Sequence, residues 1–191
     1  MTVVELFNRA LAALGHDRFI SSEDSPFIEA VHCRREWDGA RQGVLAAHEW
    51  GWLVLDVPIC DGTETTDEAT GKTVYIYPRP SACLRLLGVT DTNGKRIKWR
   101  AVNAQIEADT DPVKISYLQD SEDPDDWPAP VQDAVVTELA ARIAIPLKQD
   151  AGLAKQMRLD AVLALAVAKQ RDSLEVRYDG SLTTKYADAR R

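Results

Sequence analysis

The tripeptide Gly71-Lys72-Thr73 has the composition that ends a phosphate-binding loop. That motif needs a glycine five residues before Gly71, where this sequence has Thr66. The residues that follow are β-branched and aromatic, so a strand is expected in place of the helix whose amino terminus would hold an anion. We therefore interpret the tripeptide as part of a solvated hairpin loop and not as a nucleotide site.

A metal site is the second chemistry to consider, since His16, His32 and His48 could join Cys33 or Asp56. His32 and Cys33 are adjacent on a predicted helix and point about 100° apart. His32 and His48 are separated by about 24 Å along the same helix. Neither pair can share an ion within one subunit, so we expect no metal and no cofactor.

Paired carboxylates such as Asp56 and Asp61 would suit acid–base hydrolysis, but spacing alone does not make them catalytic. No serine lies in a GxSxG elbow, and no cysteine has the sequence context of a nucleophile. We expect a protein that is not an enzyme.

A cluster of acidic residues follows the predicted strands. Its members are Asp120, Glu122, Asp123, Asp125 and Asp126. A run of like charges is typical of a solvated loop. A second interpretation is a surface that repels DNA phosphates and lets a duplex pass without binding.

The segment Trp50-Gly51-Trp52 has the aromatic content of a base-stacking platform. Such platforms interleave aromatic with basic residues, whereas Glu49 and Asp56 flank this segment. Packing at a helix-to-strand junction is the favoured interpretation.

The composition is that of a globular, acidic chain. Its 191 residues are 45% hydrophobic, enough for one domain or a domain with an insertion, and 23 basic against 30 acidic residues give a net charge of −7. That charge argues against non-specific binding to DNA or to an anionic membrane. The cysteines lack CxxC spacing, and no signal peptide or membrane span is apparent, so we expect synthesis and assembly in a reducing host cytoplasm.

Helices are expected at both ends of the chain. Thr2 and Glu5 form a capping box for a first short helix. A second helix, about 26–50, carries a narrow apolar stripe that includes Trp37 and Val44. Its small residues would let a neighbouring helix approach closely.

Strands are expected between the helices, because after Gly51 the helical spacing of apolar residues gives way to runs rich in β-branched and aromatic residues. Asn93-Gly94 predicts a tight hairpin between the third and fourth strands. The predicted strands are 52–59, 73–77, 84–90, 96–102 and 113–118.

Helices resume near Pro128, with an interruption at Pro146 and a fourth helix over about 151–171. Residues 161–168 are apolar at every position, so that helix must be covered on all sides, most simply by a neighbouring subunit. The candidate interface residues are Trp37, Val44, Leu163, Leu165 and Val167.

The chain after Asp172 shows alternation of apolar residues, at Leu174, Val176 and Tyr178. We expect an extended arm, 173–191, that orders only against a partner. Tyr186 is the fourth candidate contact residue of this arm.

The predicted fold class is α+β, mainly α. A helical frame of about four helices, 1–50 and 128–172, is interrupted by a β-rich insert, 51–127, and followed by the arm.

Four segments carry a resemblance to a known family. They are ALAALG at 10–15, the WGW junction, VYIYPRPSACLRLLGV at 74–89 with its following hairpin, and DDWPAPVQDAVVTELAARIAIPL at 125–147. In this order they resemble the phage tail tubular protein A and head-to-tail adaptor families, over about residues 3–172.

The resemblance implies a structural protein of the virion neck. Its copies would form a dodecameric ring beneath the portal protein and above the tail or nozzle, with genome DNA passing through during ejection and no membrane contact. Residues 161–168 would pack between helices of adjacent subunits, the arm would reach a neighbour or the portal, and channel-facing acids would let DNA slide. The resemblance also implies assembly on a portal template, so the free protein is expected to be monomeric or weakly associated.

Two other classes are alternatives. One is a soluble assembly or partner-binding module of phage morphogenesis, absent from finished particles. The other is a small hydrolase that uses carboxylates of the insert, such as Asp56 and Asp61.

Overall fold

The computed structural model describes residues 1–67 and 71–176, and the chain divides into two compact units. The helical unit contains residues 1–51 and the described chain from Ser121 onward. The insert contains Trp52–Asp120. Four helices and two antiparallel sheets in these residues confirm the predicted α+β class, mainly α.

The helical unit begins with a capped helix. The Glu5 backbone N–H donates to the Thr2 hydroxyl, and the Glu5 carboxylate accepts from the Thr2 backbone N–H, as the capping box predicts. The helices are α1 (Val3–Ala13), α2 (Ile28–Ala46), α3 (Ala129–Lys148) and α4 (Ala151–Val176), with a short 3-10 helix, Pro124–Asp126, before α3.

Helix α3 is the centre of the helical unit, since it packs against α1, α2 and α4. The predicted interruption at Pro146 is wrong, because α3 continues to Lys148 and ends at Gln149 with a left-handed φ of 53°. Pro146 lies in the last turn, where it removes one backbone hydrogen bond and little helix remains to be disrupted.

Helix α4 is longer than the sequence predicted. Leu174 and Val176, expected in an extended arm, belong to its last turns, so the arm does not begin at residue 173. No glycine or proline follows Asp172 within the helix, and the Ser173 hydroxyl donates to the Lys169 carbonyl. Tyr178 and Tyr186 lie outside the described residues.

The insert consists of seven strands in two antiparallel sheets, ordered β1-β7-β4 and β2-β3-β6-β5. Residues from both sheets share one apolar core, including Tyr77, Ile106, Val89 and Ile115. The strands are β1 (Val54–Ile59), β2 (Thr63–Thr66), β3 (Thr73–Pro78), β4 (Cys83–Asp91), β5 (Trp99–Val102), β6 (Gln105–Ala108) and β7 (Val113–Gln119).

The turn at Asn93-Gly94 forms, but the hairpin around it is short: backbone hydrogen bonds join Asp91 to Lys95 and Ile97 to Val89, and the pairing does not extend to β5. Strand β4 pairs with β7 and β5 pairs with β6, and a single bridge joins Thr90 to Arg96. Only Gly94 of the pair has a positive φ, whereas a two-residue hairpin of this type needs two. The Asp91 carboxylate instead accepts from the backbone of Asn93 and Lys95 and holds a wider turn.

The predicted insert extended to residue 127, but residues 121–127 belong to the helical unit. The Arg41 guanidinium donates to the Ser121 carbonyl at 2.8 Å. The buried Trp127 donates through Nε1 to the Ser121 hydroxyl at 2.9 Å and stacks on Trp37. These contacts attach the segment to α2.

Candidate subunit interface

The side of α4 that packs on α3 is made of small residues. Ala154, Ala161 and Ala168 are buried, and their spacing of seven residues keeps them on one side of the helix. Because alanine has no side chain beyond Cβ, α3 and α4 can approach closely along this line. The packing therefore uses little of the large apolar surface of α4.

The opposite side of α4 carries large apolar side chains that the helical unit leaves exposed. Val162 and Leu163 retain 66% and 64% of their surface. The members of this α4 stripe are Leu159, Val162, Leu163, Val167 and Leu174. Their spacings of three, four and seven residues place them on one face of a helix.

Residues 161–168 were expected to be covered on all sides, and α3 covers only part of them. Ala161 and Ala168 are buried and Leu165 is half-buried, whereas Leu163 and Val167 are exposed. A contiguous apolar face of this kind on a packed unit is typical of a protein–protein contact. Leu159 and Val162 were not among the predicted residues, although Leu159 lies four residues before Leu163 and three before Val162, both helical spacings.

Two predicted interface residues belong to the chain's own packing. Val44 is 3% exposed, so the prediction that it contacts a neighbour is wrong. Trp37 is half-buried, with the Phe7 ring against one side and the Trp127 ring stacked on it. An apolar stripe does not show which helix will cover it, and on α2 the cover is α3 of the same chain.

The end of α4 is tied to the segment after α2 by Asp172. The His48 Nε2 lies 2.9 Å from one Asp172 carboxylate oxygen, and the Gly51 backbone N–H donates to the other at 3.3 Å. His48 also meets the buried Trp50 edge-on. These contacts fix the α4 stripe relative to the helical unit. The burial of Trp50, whose Nε1 donates to the Leu45 carbonyl, agrees with packing at the helix-to-strand junction.

The five acidic residues are divided between the two units. Asp120 ends the insert and is half-buried, while the other four belong to the helical unit. Asp123 accepts from the Asp125 backbone N–H and caps the 3-10 helix, and Asp125 pairs with the chain's amino terminus. Glu122 and Asp126 are exposed. A channel-facing role for these acids stays a prediction.

The carboxylates suggested for hydrolysis lie in an open part of the insert. Asp56 accepts from Ser116 and pairs with Lys114 at 2.9 Å across strands β1 and β7. The hydrogen bonds from Ser116 and Lys114 hold the pKa of Asp56 below its ordinary value. A general acid needs the opposite shift. Asp61 lies in the turn after β1 with a φ of 82°.

The phosphate-loop tripeptide closes a hairpin loop between β2 and β3. The Gly71 backbone N–H donates to the Asp67 carbonyl, and β3 begins at Thr73, so the predicted strand follows in place of a helix. Among residues 1–67 and 71–176, no three His, Cys, Asp or Glu side chains are grouped so as to hold a metal ion.

No model of a known protein family matches the chain, and no curated protein matches it with significant similarity. None of the helices in the described part of the chain has the length and apolar content needed to span a bilayer.

Proposed function

We propose that the chain is a structural virion protein, a head-to-tail adaptor whose copies form a ring between portal and tail with genome DNA passing through. The observation that carries the proposal is the α4 stripe, a line of large apolar side chains on the outside of a helix that is already packed on α3. Such a face is stabilised when a second protein surface covers it. The order of the sequence motifs, which resembles that of head-to-tail adaptors, supports this choice of assembly.

The size of the stripe agrees with weak association of free subunits. Covering the exposed part of five such side chains contributes roughly 5 kcal/mol, at about 1 kcal/mol for each half-exposed residue. Association costs about 4–15 kcal/mol in lost translational and rotational freedom. One contact of this strength does not hold a free dimer firmly, whereas a portal that gathers the subunits removes much of that cost.

The charge of the chain suits passage of DNA without retention. The net charge is −7, and Glu122 and Asp126 extend into solvent from the segment before α3. Carboxylates on a channel wall repel phosphates and release no counterions, so a duplex gains nothing by binding.

Mass spectrometry of purified particles, combined with cryo-electron microscopy of the neck, tests the proposal. We expect the protein in finished particles, as a ring at the portal–tail junction. Particles that lack the protein would refute the proposal and favour an assembly factor. Particles that contain it at another position would refute the adaptor role alone.

A further inference from the structure

The connection between α1 and α2 exposes a second set of large apolar side chains in the helical unit. Phe19 retains 78% and Ile28 58% of its surface. The members of this connection patch are Phe19, Phe27, Ile28 and Val31. The described helical unit therefore has two apolar surfaces, one on α4 and one at the start of α2.

The connection patch is held in place by contacts within the unit. The Ile20 backbone N–H and carbonyl both bond to the Asn8 side chain, at 2.7 and 2.8 Å, which fixes the backbone beside Phe19. The Arg18 guanidinium lies 4.5 Å from the centre of the Phe27 ring. Because the patch is preorganised, a partner that covers it does not have to order the loop.

The α4 stripe has a basic edge, and the connection patch carries two acids together with Arg18. Three basic residues flank the α4 stripe, namely Lys155, Arg158 and Lys169. None of them forms an ion pair with a described residue. A rotation of about 100° per residue places all three on the side of the stripe that carries Val162. Within the connection patch, between Phe19 and Phe27, the chain carries two exposed acids.

Those acids are Glu23 and Asp24, and Asp24 has only a long contact of 3.7 Å with Arg34. An edge-to-edge match of unlike charges fixes the orientation of an interface and disfavours the wrong pairing. Two α4 stripes facing each other would instead bring like charges together.

A closed ring of more than two subunits needs two different surfaces on every subunit, because each copy contacts one neighbour on either side. We propose that the α4 stripe of one copy packs on the connection patch of the next, with the basic edge of the stripe facing Glu23 and Asp24. The inference rests on the proposed ring, but it concerns only which two surfaces meet.

Cysteine cross-linking of the full-length protein at its highest soluble concentration tests this pairing. The background carries Cys60→Ser and Cys83→Ser, since Cys60 is exposed and Cys83 half-buried, and it keeps the buried Cys33. With a short bis-maleimide, the variant Ile28→Cys/Leu163→Cys is expected to form a ladder beyond the dimer. Each single variant and the background are expected to remain monomeric.

Several outcomes would overturn the pairing. A dimer from Leu163→Cys alone would show that two stripes meet. A double variant that stays monomeric would show that the stripe faces residues 177–191 or another protein. The adaptor role is tested separately. If the protein forms a cross-linked ladder but is absent from virions, the interface is supported and the adaptor function is refuted.

Reversal of the charges gives a second test that does not depend on cysteine geometry. Glu23→Lys/Asp24→Lys and Lys155→Glu/Arg158→Glu/Lys169→Glu, each added to the cross-linking variant, are expected to lower the ladder yield at least several-fold. The two sets combined in one chain are expected to restore it. Arg171→Glu, on the opposite edge of the stripe beside Val167, is the comparison and should lower the yield less than the triple reversal does. Failure of the combined variant to recover, with unchanged circular dichroism, would contradict the charge pairing.

Discussion

Trp37 of α2 stacks on Trp127, which stands just before α3, with ring centroids 6.0 Å apart and ring planes inclined by 22°. Phe7 of α1 meets Trp37 edge-on at a centroid distance of 5.4 Å. One aromatic cluster thus joins three segments of the helical unit that are distant in sequence.

Replacement of Trp37 by alanine is expected to lower the free energy of unfolding by about 3 kcal/mol, because it removes a large side chain from between two rings. Urea unfolding followed by circular dichroism measures this loss. Phe19→Ala is the control, since Phe19 is mostly exposed and its removal should change the free energy by less than about 0.5 kcal/mol. Equal effects of the two substitutions would show that the cluster does not stabilise the fold.

Because Leu163 is exposed in the subunit, a substitution there distinguishes an effect on assembly from an effect on folding. Leu163→Asp places a carboxylate on a side that faces solvent in the subunit, so the melting temperature should stay close to that of the wild type. In an assembled ring the same carboxylate would be buried without a partner, and incorporation into particles should fall at least tenfold. The variant is supplied during particle assembly in place of the wild-type protein. Quantitative mass spectrometry of the purified particles then measures its incorporation.

Ala161→Asp is the matched variant on the other side of α4. Ala161 is 5% exposed and packs toward α3, so this change is expected to prevent folding of the helical unit. If Leu163→Asp unfolds the protein as severely as Ala161→Asp does, the stripe is covered within the subunit.

Gly62 in the insert leaves no room for a side chain. A Cβ at this position would lie 2.7 Å from the Tyr77 ring, and the hydroxyl of Tyr77 lies 2.7 Å from Asp111, whose carboxylate also accepts from the Gly62 backbone N–H. Gly62→Ala should therefore destabilise the insert by about 1–3 kcal/mol.

Gly88→Ala provides the comparison, because a Cβ there meets no atom within 4 Å. It is expected to leave the stability unchanged or slightly higher, since alanine restricts the unfolded chain more than glycine does. Thermal unfolding of both variants checks the prediction, and a larger loss for Gly88→Ala would contradict it.

Cys33 is predicted to be chemically inert in the folded protein. Burial, and secondarily the charge of Glu29, raise the pKa of the Cys33 thiol from 9.0 to about 12. Alkylation mapped by mass spectrometry should modify the exposed Cys60 and spare Cys33 until the protein unfolds. Modification of both at equal rates in native protein would refute this.

The raised pKa of the Cys33 thiol also makes the free energy of unfolding depend on pH. Below pH 9 both the folded and the unfolded state keep the thiol proton, so this group adds no slope. Between pH 9 and about 12 the thiol ionises in the unfolded state alone, and its contribution lowers the free energy of unfolding as pH rises. Cys33→Ala should show a correspondingly shallower decline over that interval.

Local signals made much of the fold predictable. The Thr2–Glu5 capping box and the apolar periods of the helices act over a few residues, and they appear in the structure where they were expected. Strands β2 and β6 were missed, since Thr63–Thr66 is wholly polar and both strands have only four residues. Strand partners depend on contacts distant in sequence, which is why the turn at Gly94 was predicted and the β4–β7 and β5–β6 pairings were not.

The sequence predicted that the segment 161–168 contributes to an interface, but it did not predict which of its side chains are exposed. An apolar run at 161–168 indicates that something must cover it, but which side α3 takes depends on tertiary packing. The alanines at 161 and 168 provided a usable signal, because small residues at a seven-residue spacing favour close helix packing and direct the larger side chains outward.

The first and last strands of the insert lie side by side. Val54 pairs with Leu118, and the Leu53 carbonyl accepts from the Gln119 backbone N–H at 3.1 Å. The chain therefore leaves for the insert and returns from it at neighbouring points, so the insert behaves as a cassette between two fixed ends. Recombination can exchange such a cassette for one of another length without altering the span between α2 and α3. The surface of the insert can then diverge in sequence while the helical unit stays constant.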